Sequence, residues 1–310
     1  MKTRIRFECS VLLSMGCVLT GLPIAARADI FVSNYHSPDG TIGEYTTSGT
    51  TVNASLISGL SDPPSIAVSG SDLFVTNTAM NAIGEYTTSG ATVNASLISG
   101  LSGPEGIAVS GSDLFVTNYA NTGGSVGEYT TSGTAVKASL ITGLSAPFGI
   151  AVSESDLFVT NIINGTIGEY TTSGATVKAS LISGLDQPYA IAVSGSDLFV
   201  ANSQSGIIGE YTTSGGTVNA SLISDNGGPM GIAVLGSDLF VANVNSGTIG
   251  EYTTSGATVD ASLVTGLSDP FGIAVATPLP AAVWPGLVTL VGVATAGRLR
   301  KLRQRNINAP

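Results

Sequence analysis

The heptapeptide GEYTTSG occurs six times in this 310-residue chain, and the interval between copies hardly changes. Its glutamates are Glu44, Glu85, Glu128, Glu169, Glu210 and Glu251, so successive copies lie 41, 43, 41, 41 and 41 residues apart. The unit from Pro104 to Leu144 reads as four segments: the apolar run GIAVS, the turn GSD leading into DLFVTN, the alternating VGEYTTSG with its Ser-Gly turn, and the alternating VKASLITGL. Short runs with short connections match four-stranded antiparallel blades. Glycine, threonine, serine and valine fill the unit where a helix needs a 3.6-residue stripe of alanine, leucine, lysine and glutamate, so no helix is expected. A repeat of this length on a four-stranded unit predicts an all-β, six-bladed β-propeller.

The ends of the array point to a closed ring. The chain enters at DIFVSN (29–34), without a preceding GIAV segment, and leaves at FGIAVA (271–276), with nothing of the unit after it. An open stack gains nothing from this offset. In a ring, Ile273 to Val275 pair with Ile30 to Val32, complete a composite blade and remove an exposed sheet edge.

The pattern P-x-G-I-A-V, L-F-V-T-N, I-G-E-Y-T-T-S-G resembles NHL-type propellers and the virginiamycin B lyase-like group over Asp29 to Ala276. That resemblance implies the propeller but not one activity, because such propellers include lyases, sugar-acid hydrolases and scaffolds. For the lyases it implies histidine and a bound metal. Here that falls on His36, the one histidine, beside Asp39.

Two segments flank the ring. Residues 1–28 read as a signal peptide: Lys2, Arg4 and Arg6 precede an apolar stretch from Val11 to Ile24, and Ala26-Arg27-Ala28 offers a small-x-small cleavage site. Gly16-Cys17 suggests a lipoprotein as the alternative, against which Ser14 stands where a branched apolar residue is wanted. Residues 277–310 look like a PEP-CTERM sorting signal of the Val-Pro-Leu-Pro-Ala variant. Pro278-Leu279-Pro280-Ala281 match, Thr277 replaces the valine, Pro285 interrupts the apolar span, and five bases follow Gly297. The resemblance implies cleavage by an exosortase-type enzyme and an association with exopolysaccharide and biofilm. A permanent single-span anchor is the alternative, and the basic flank stays cytoplasmic in both. The expected course is transient inner-membrane anchoring, then release to the outer surface or matrix. The processing partners are signal peptidase and the exosortase-type enzyme, and membrane contact is made only through the C-terminal segment.

Charge excludes some partners. Residues 29–276 carry 20 acids against Lys137 and Lys178, a formal charge of −18 with no arginine. Such a domain cannot neutralise phosphates, so nucleic acid is not expected as a partner. Cys9 and Cys17 both lie in the leader, so the ring has no disulfide and must be held by burial and closure. No Ser-His-Asp arrangement, nucleophile turn or metal-binding spacing is present, and no catalytic residue is expected outside the His36–Asp39 alternative. No cofactor is expected either, a divalent cation gathered by acids being the one the charge admits.

Within IGEY, alternation puts Ile42 and Glu44 on one strand face and Gly43 and Tyr45 on the other. The six glutamates then accept hydrogen bonds, hold protons, or gather cations. Asn34, Asn77, Asn118, Asn161, Asn202 and Asn243 close their strands where Asx-turns would serve the backbone, and the GSD aspartates read alike.

The repeats differ from one another on one side. The GSD and TTSG hairpins barely change, whereas the loops between LFVTN and IGEY and those before GIAV vary, and these emerge on the same face of an up-and-down blade. That face would present Tyr35, His36, Met80, Glu105, Tyr119, Phe148, Ile162, Tyr189, Met230 and Phe271 around the channel mouth. The reading is a secreted or cell-surface, non-enzymatic binding or matrix module whose partner is an extracellular polysaccharide or surface protein. The alternatives are a metal-assisted lyase or hydrolase at the mouth using His36 and Asp39, and a structural spacer.

Overall fold

The structure is a computed structural model that describes residues 28–36, 38–224 and 227–276. The expected signal and sorting segments therefore lie outside the described residues, Ala28 excepted. Among the described residues no helix is long and apolar enough to cross a membrane.

The array opens with β1 (Asp29–Asn34), β2 (Gly40–Thr46) and β3 (Thr51–Leu60), continues with five four-stranded units numbered β4 to β23, and ends with β24 (Pro270–Ala276). These form six four-stranded antiparallel sheets. One of them has the order β24-β1-β2-β3, with Ile30 opposite Val275 and Val32 opposite Ile273. The protein is thus a six-bladed propeller closed by its two ends in the register that the offset of the repeats demands. Among the described residues one 3-10 turn, Thr78–Met80, departs from the helix-free expectation.

Each blade has two unlike faces because L-F-V alternates across the strand. Phe74 and Ile83 of the second blade pack against Leu114, Val116 and Tyr129 of the third. Phe31, Ile42 and Ile57 of the first meet Leu73, Val75 and Tyr86 of the second. The last interface joins the ends: Ile30, Val32 and Tyr45 pack on Phe240 and Ile249 of the sixth blade. The six phenylalanines of the LFV-type strands are at most 1% exposed, at the closing interface as at the others.

The GEY motif owes its glycine to this packing. The Tyr86 ring folds back over Gly84, and a Cβ there would lie 2.7 Å from the ring. A ring over a strand glycine hides backbone that would otherwise face a gap. The same relation holds from Gly43 and Tyr45 to Gly250 and Tyr252.

Candidate functional site at the channel mouth

The innermost strands carry one repeated position that defines the site. In each D–A connection a left-handed residue precedes a proline: Asp62, Gly103, Ala146, Gln187, Gly228 and Asp269 all have φ between 50° and 73°. Proline disfavours helical backbone in its predecessor, so four side-chain-bearing residues are held in a sparsely populated conformation. Their carbonyls explain what holds them. They accept backbone hydrogen bonds from the B–C loop of the neighbouring strand, as in Tyr35 N–H to Asp269 O (2.9 Å), Tyr119 N–H to Gly103 O (2.8 Å) and Ile162 N–H to Ala146 O (3.1 Å). The two variable connections are thereby tied into one rim.

The residue after each of these prolines borders the mouth, and in the second blade it is Pro64. Glu105, Phe148, Tyr189, Met230 and Phe271 occupy that position. One residue further on stand Ser65, Gly106, Gly149, Ala190, Gly231 and Gly272, and these small residues let adjacent blades meet backbone to backbone. A Cβ at Gly149 would lie 2.5 Å from the Tyr189 carbonyl, and one at Gly272 would lie 2.6 Å from Pro64 O. Next come Ile66, Ile107, Ile150, Ile191, Ile232 and Ile273, which make the wall of a channel of about 140 Å³.

Hydroxyls of the second strand fix this rim. Thr117 Oγ1 accepts from Gly106 N–H (2.7 Å) and donates to Phe148 O of the next blade (2.6 Å). Thr160 holds Gly149 N–H (2.8 Å), Thr76 holds Ser65 N–H (2.9 Å), and Ser33 closes the ring on Gly272 N–H (2.8 Å). In the last two units alanine stands there, and backbone pairing Ala190–Ala201 and Gly231–Ala242 replaces the hydroxyl.

Above the channel the aromatic side chains converge. Tyr35 stacks at 5.1 Å on Phe271, Phe271 lies 5.7 Å from Phe148 and 6.2 Å from Tyr189, and Phe148 meets Tyr189 edge-on at 4.9 Å. These separations are those of favourable aromatic pairs. Together with Glu105, Tyr119 and Ile162 they line a cavity of about 260 Å³. Burial pushes the Glu105 carboxyl up to about 8, and Asp62 adds to the rise. Burial likewise pushes the Tyr35 hydroxyl up to about 12, reinforced by Asp62, Glu105 and Tyr189.

Of the residues expected on this face, Tyr35, Glu105, Tyr119, Phe148, Ile162, Tyr189 and Phe271 share the cavity, and Met230 borders the channel. His36 and Met80 do not join them. His36 lies with Asp39 in an outer groove, 61% exposed, its Nδ1 at 4.0 Å from Asp269. Met80, 67% exposed, stands over a groove between the first two blades. Among the described residues no three of His, Cys, Asp or Glu converge to hold a metal ion, so the residues present do not fit the metal that the lyase resemblance implies.

The repeated glutamates lie on the Ile face of their strands and are half-buried. Burial pushes Glu85, Glu128, Glu169, Glu210 and Glu251 up, and the hairpin aspartate of each blade pushes the same way. Sequence reasoning missed what faces them across the sheet. Glu128 and Glu169 oppose Lys137 and Lys178, both lysines of the ring, whereas Glu251 opposes Asp260. Two of the six strand-end asparagines differ from expectation. Instead of local Asx-turns, Asn77 and Asn161 accept from Ser61 and Ser145 N–H, 16 residues earlier, and so staple the D–A connections.

Residues 10–238 match the virginiamycin B lyase family. Similar solved structures include a chain of a nidogen/laminin complex (15% identity, TM-score 0.67, 82% of this chain and 100% of that one) and a streptogramin B lyase (21%, 0.58, 81% and 88%). A protein of unknown function from Bacteroides caccae is a third (12%, 0.59, 80% and 98%). At these identities the likeness shows the fold. No curated protein matches.

Proposed function

We propose that this chain, which belongs to the virginiamycin B lyase family, is a non-enzymatic binding module of the cell exterior whose ligand seats on the aromatic mouth. The observation that carries the reading is the convergence of Tyr35, Phe148, Tyr189 and Phe271 over the channel, with the one histidine left in an exposed outer groove. Rigid aromatic faces on a rim fixed by proline and buried hydroxyls suit binding. A lyase needs a positioned acid or base beside the reacting bond. The cavity offers one carboxyl, Glu105, while the histidine on which the lyase reading depends lies in another groove.

In this reading residues 1–28 are removed by signal peptidase, and residues 277–310 hold the protein in the inner membrane until an exosortase-type enzyme cuts them. The ring then resides in the exopolysaccharide matrix or on the surface, where an extracellular polysaccharide or surface protein is its partner. Membership of the family favours a rival reading, a lyase or hydrolase that uses His36 and Asp39.

The test pairs binding with turnover on the full chain. Retention on immobilised bacterial exopolysaccharide that Phe271→Ala abolishes, with no chromatographic conversion of virginiamycin B, is expected. Conversion that His36→Ala removes would establish the rival.

A further inference from the structure

The cavity also has a selective chemistry, which rests on the binding role proposed for the mouth. Five rings, Tyr35, Tyr119, Phe148, Tyr189 and Phe271, surround a single carboxyl, Glu105. Aromatic faces carry the negative part of the ring quadrupole and attract cations within about 6 Å. The titratable groups that face Glu105 are Asp62 and the uncharged phenols of Tyr35 and Tyr189, and no base among the described residues compensates it. The field of the whole domain has the same sign, at a formal −18 for residues 29–276.

Every electrostatic feature of the mouth therefore asks for positive charge. A small hydrated metal ion would meet apolar walls and one carboxyl, too few oxygen ligands to replace its water. A neutral sugar would stack on the rings and hydrogen-bond the carboxyl, but would bring no charge to match the acidic field. A quaternary or N-methylated ammonium satisfies both demands, since its charge is spread over methyl groups that lie against ring faces. We propose that the mouth is an organic-cation site, an aromatic platform of Tyr35, Phe148, Tyr189 and Phe271 on which an alkylated ammonium group rests with Glu105 as its counter-ion.

The site is proton-linked. With its carboxyl raised to about 8, Glu105 holds a proton in the free protein at neutral pH, and a bound cation displaces it. Affinity for the cation rises as pH climbs through about 8 and then levels, while binding at pH 7 releases up to one proton.

Calorimetric titration of the full chain with choline and with its uncharged isostere, 3,3-dimethylbutan-1-ol, tests this. Choline is expected to bind about tenfold tighter than the isostere at pH 9 and to lose about tenfold at pH 6. Glu105→Gln is expected to bind choline weakly at both pH values while keeping the isostere, and Phe271→Ala to lose both. Thermal unfolding gives an independent readout. Glu105→Gln should unfold with the wild type near pH 4.5, where the carboxyl is neutral in the folded protein, and above it at pH 9, where only the wild type buries a charge. Equal affinity for choline and the isostere, or choline binding untouched by pH and by Glu105→Gln, would overturn the cation site and leave a mouth for neutral ligands standing. Failure of both probes, together with exopolysaccharide retention unaffected by Phe271→Ala, would remove the mouth itself.

Discussion

The two faces of the ring meet the same backbone demand with different residues. On the hairpin face every TTSG turn uses glycine for its left-handed position, with φ from 80° to 92° at Gly49, Gly90, Gly133, Gly174, Gly215 and Gly256. Four of the five GSD-type turns use glycine as well, Glu154 being the exception. On the mouth face the left-handed residue before proline is Asp62, Ala146, Gln187 and Asp269 in four blades of six. A side chain in that conformation costs about 1–2 kcal/mol relative to glycine. The hairpin face is thus built for stability, and the mouth face tolerates strain to hold its rim. The hairpins also repeat one hydrogen-bond device, a threonine hydroxyl 2.8 Å from the serine two residues on, as in Thr87–Ser89 and Thr130–Ser132.

The sharpest way to break this comparison is on the hairpin face. Gly133 needs its conformation and also faces the Leu97 carbonyl, 2.6 Å from where a Cβ would lie, so Gly133→Ala is expected to cost ~3 kcal/mol in urea unfolding. Gly111 is equally left-handed but faces open space, and Gly111→Ala should cost only ~1 kcal/mol. Equal losses would mean that contact between blades contributes nothing there.

On the mouth side, Thr117→Val removes the hydroxyl that serves both Gly106 N–H and Phe148 O. Orphaning two buried backbone groups should cost ~2 kcal/mol. An unchanged midpoint would show that the rim does not depend on the hydroxyl. Gln187→Gly should instead stabilise, by ~0.5–1 kcal/mol, because it relieves a left-handed exposed residue without removing a buried contact. A loss of stability would contradict the strain assigned to this rim.

The smallest effect lies on the outer strands. Asp260 faces Glu251 where other blades place asparagine or lysine, and its Oδ1 accepts from Ser262 N–H as asparagine does elsewhere. Asp260→Asn should gain ~0.3 kcal/mol at low salt and nothing at high salt. A gain independent of salt would rule out like-charge repulsion as its cause.

The six blades, the closure of the ring and the grouping of the variable loops on one side were legible because each follows from a strict repeat and an alternation of period two. Glu105, Phe148, Tyr189 and Phe271 could be placed on that side for the same reason. Their convergence could not, because it depends on left-handed residues before proline, and nothing in Ala146 or Gln187 announces a positive φ. The roles of Ser33, Thr76 and Thr117 were also hidden, since a hydroxyl inside an apolar run gains its meaning only from the neighbouring blade. Loop order placed His36 and Met80 with the others, but the cavity takes the first residue of a loop, Tyr35, Tyr119 or Ile162, and these two stand second and third in theirs. The opposition of Lys137 to Glu128 required the strand register, which the bulges of the outer strands shift.

Hydrogen exchange of the full chain with and without saturating choline tests the division of labour between the faces most directly. Slowed exchange is predicted in the segments around Tyr35, Glu105, Phe148, Tyr189 and Phe271, with the six TTSG hairpins unchanged. Protection centred on the hairpins, or spread equally over both faces, would contradict the assignment of recognition to the mouth.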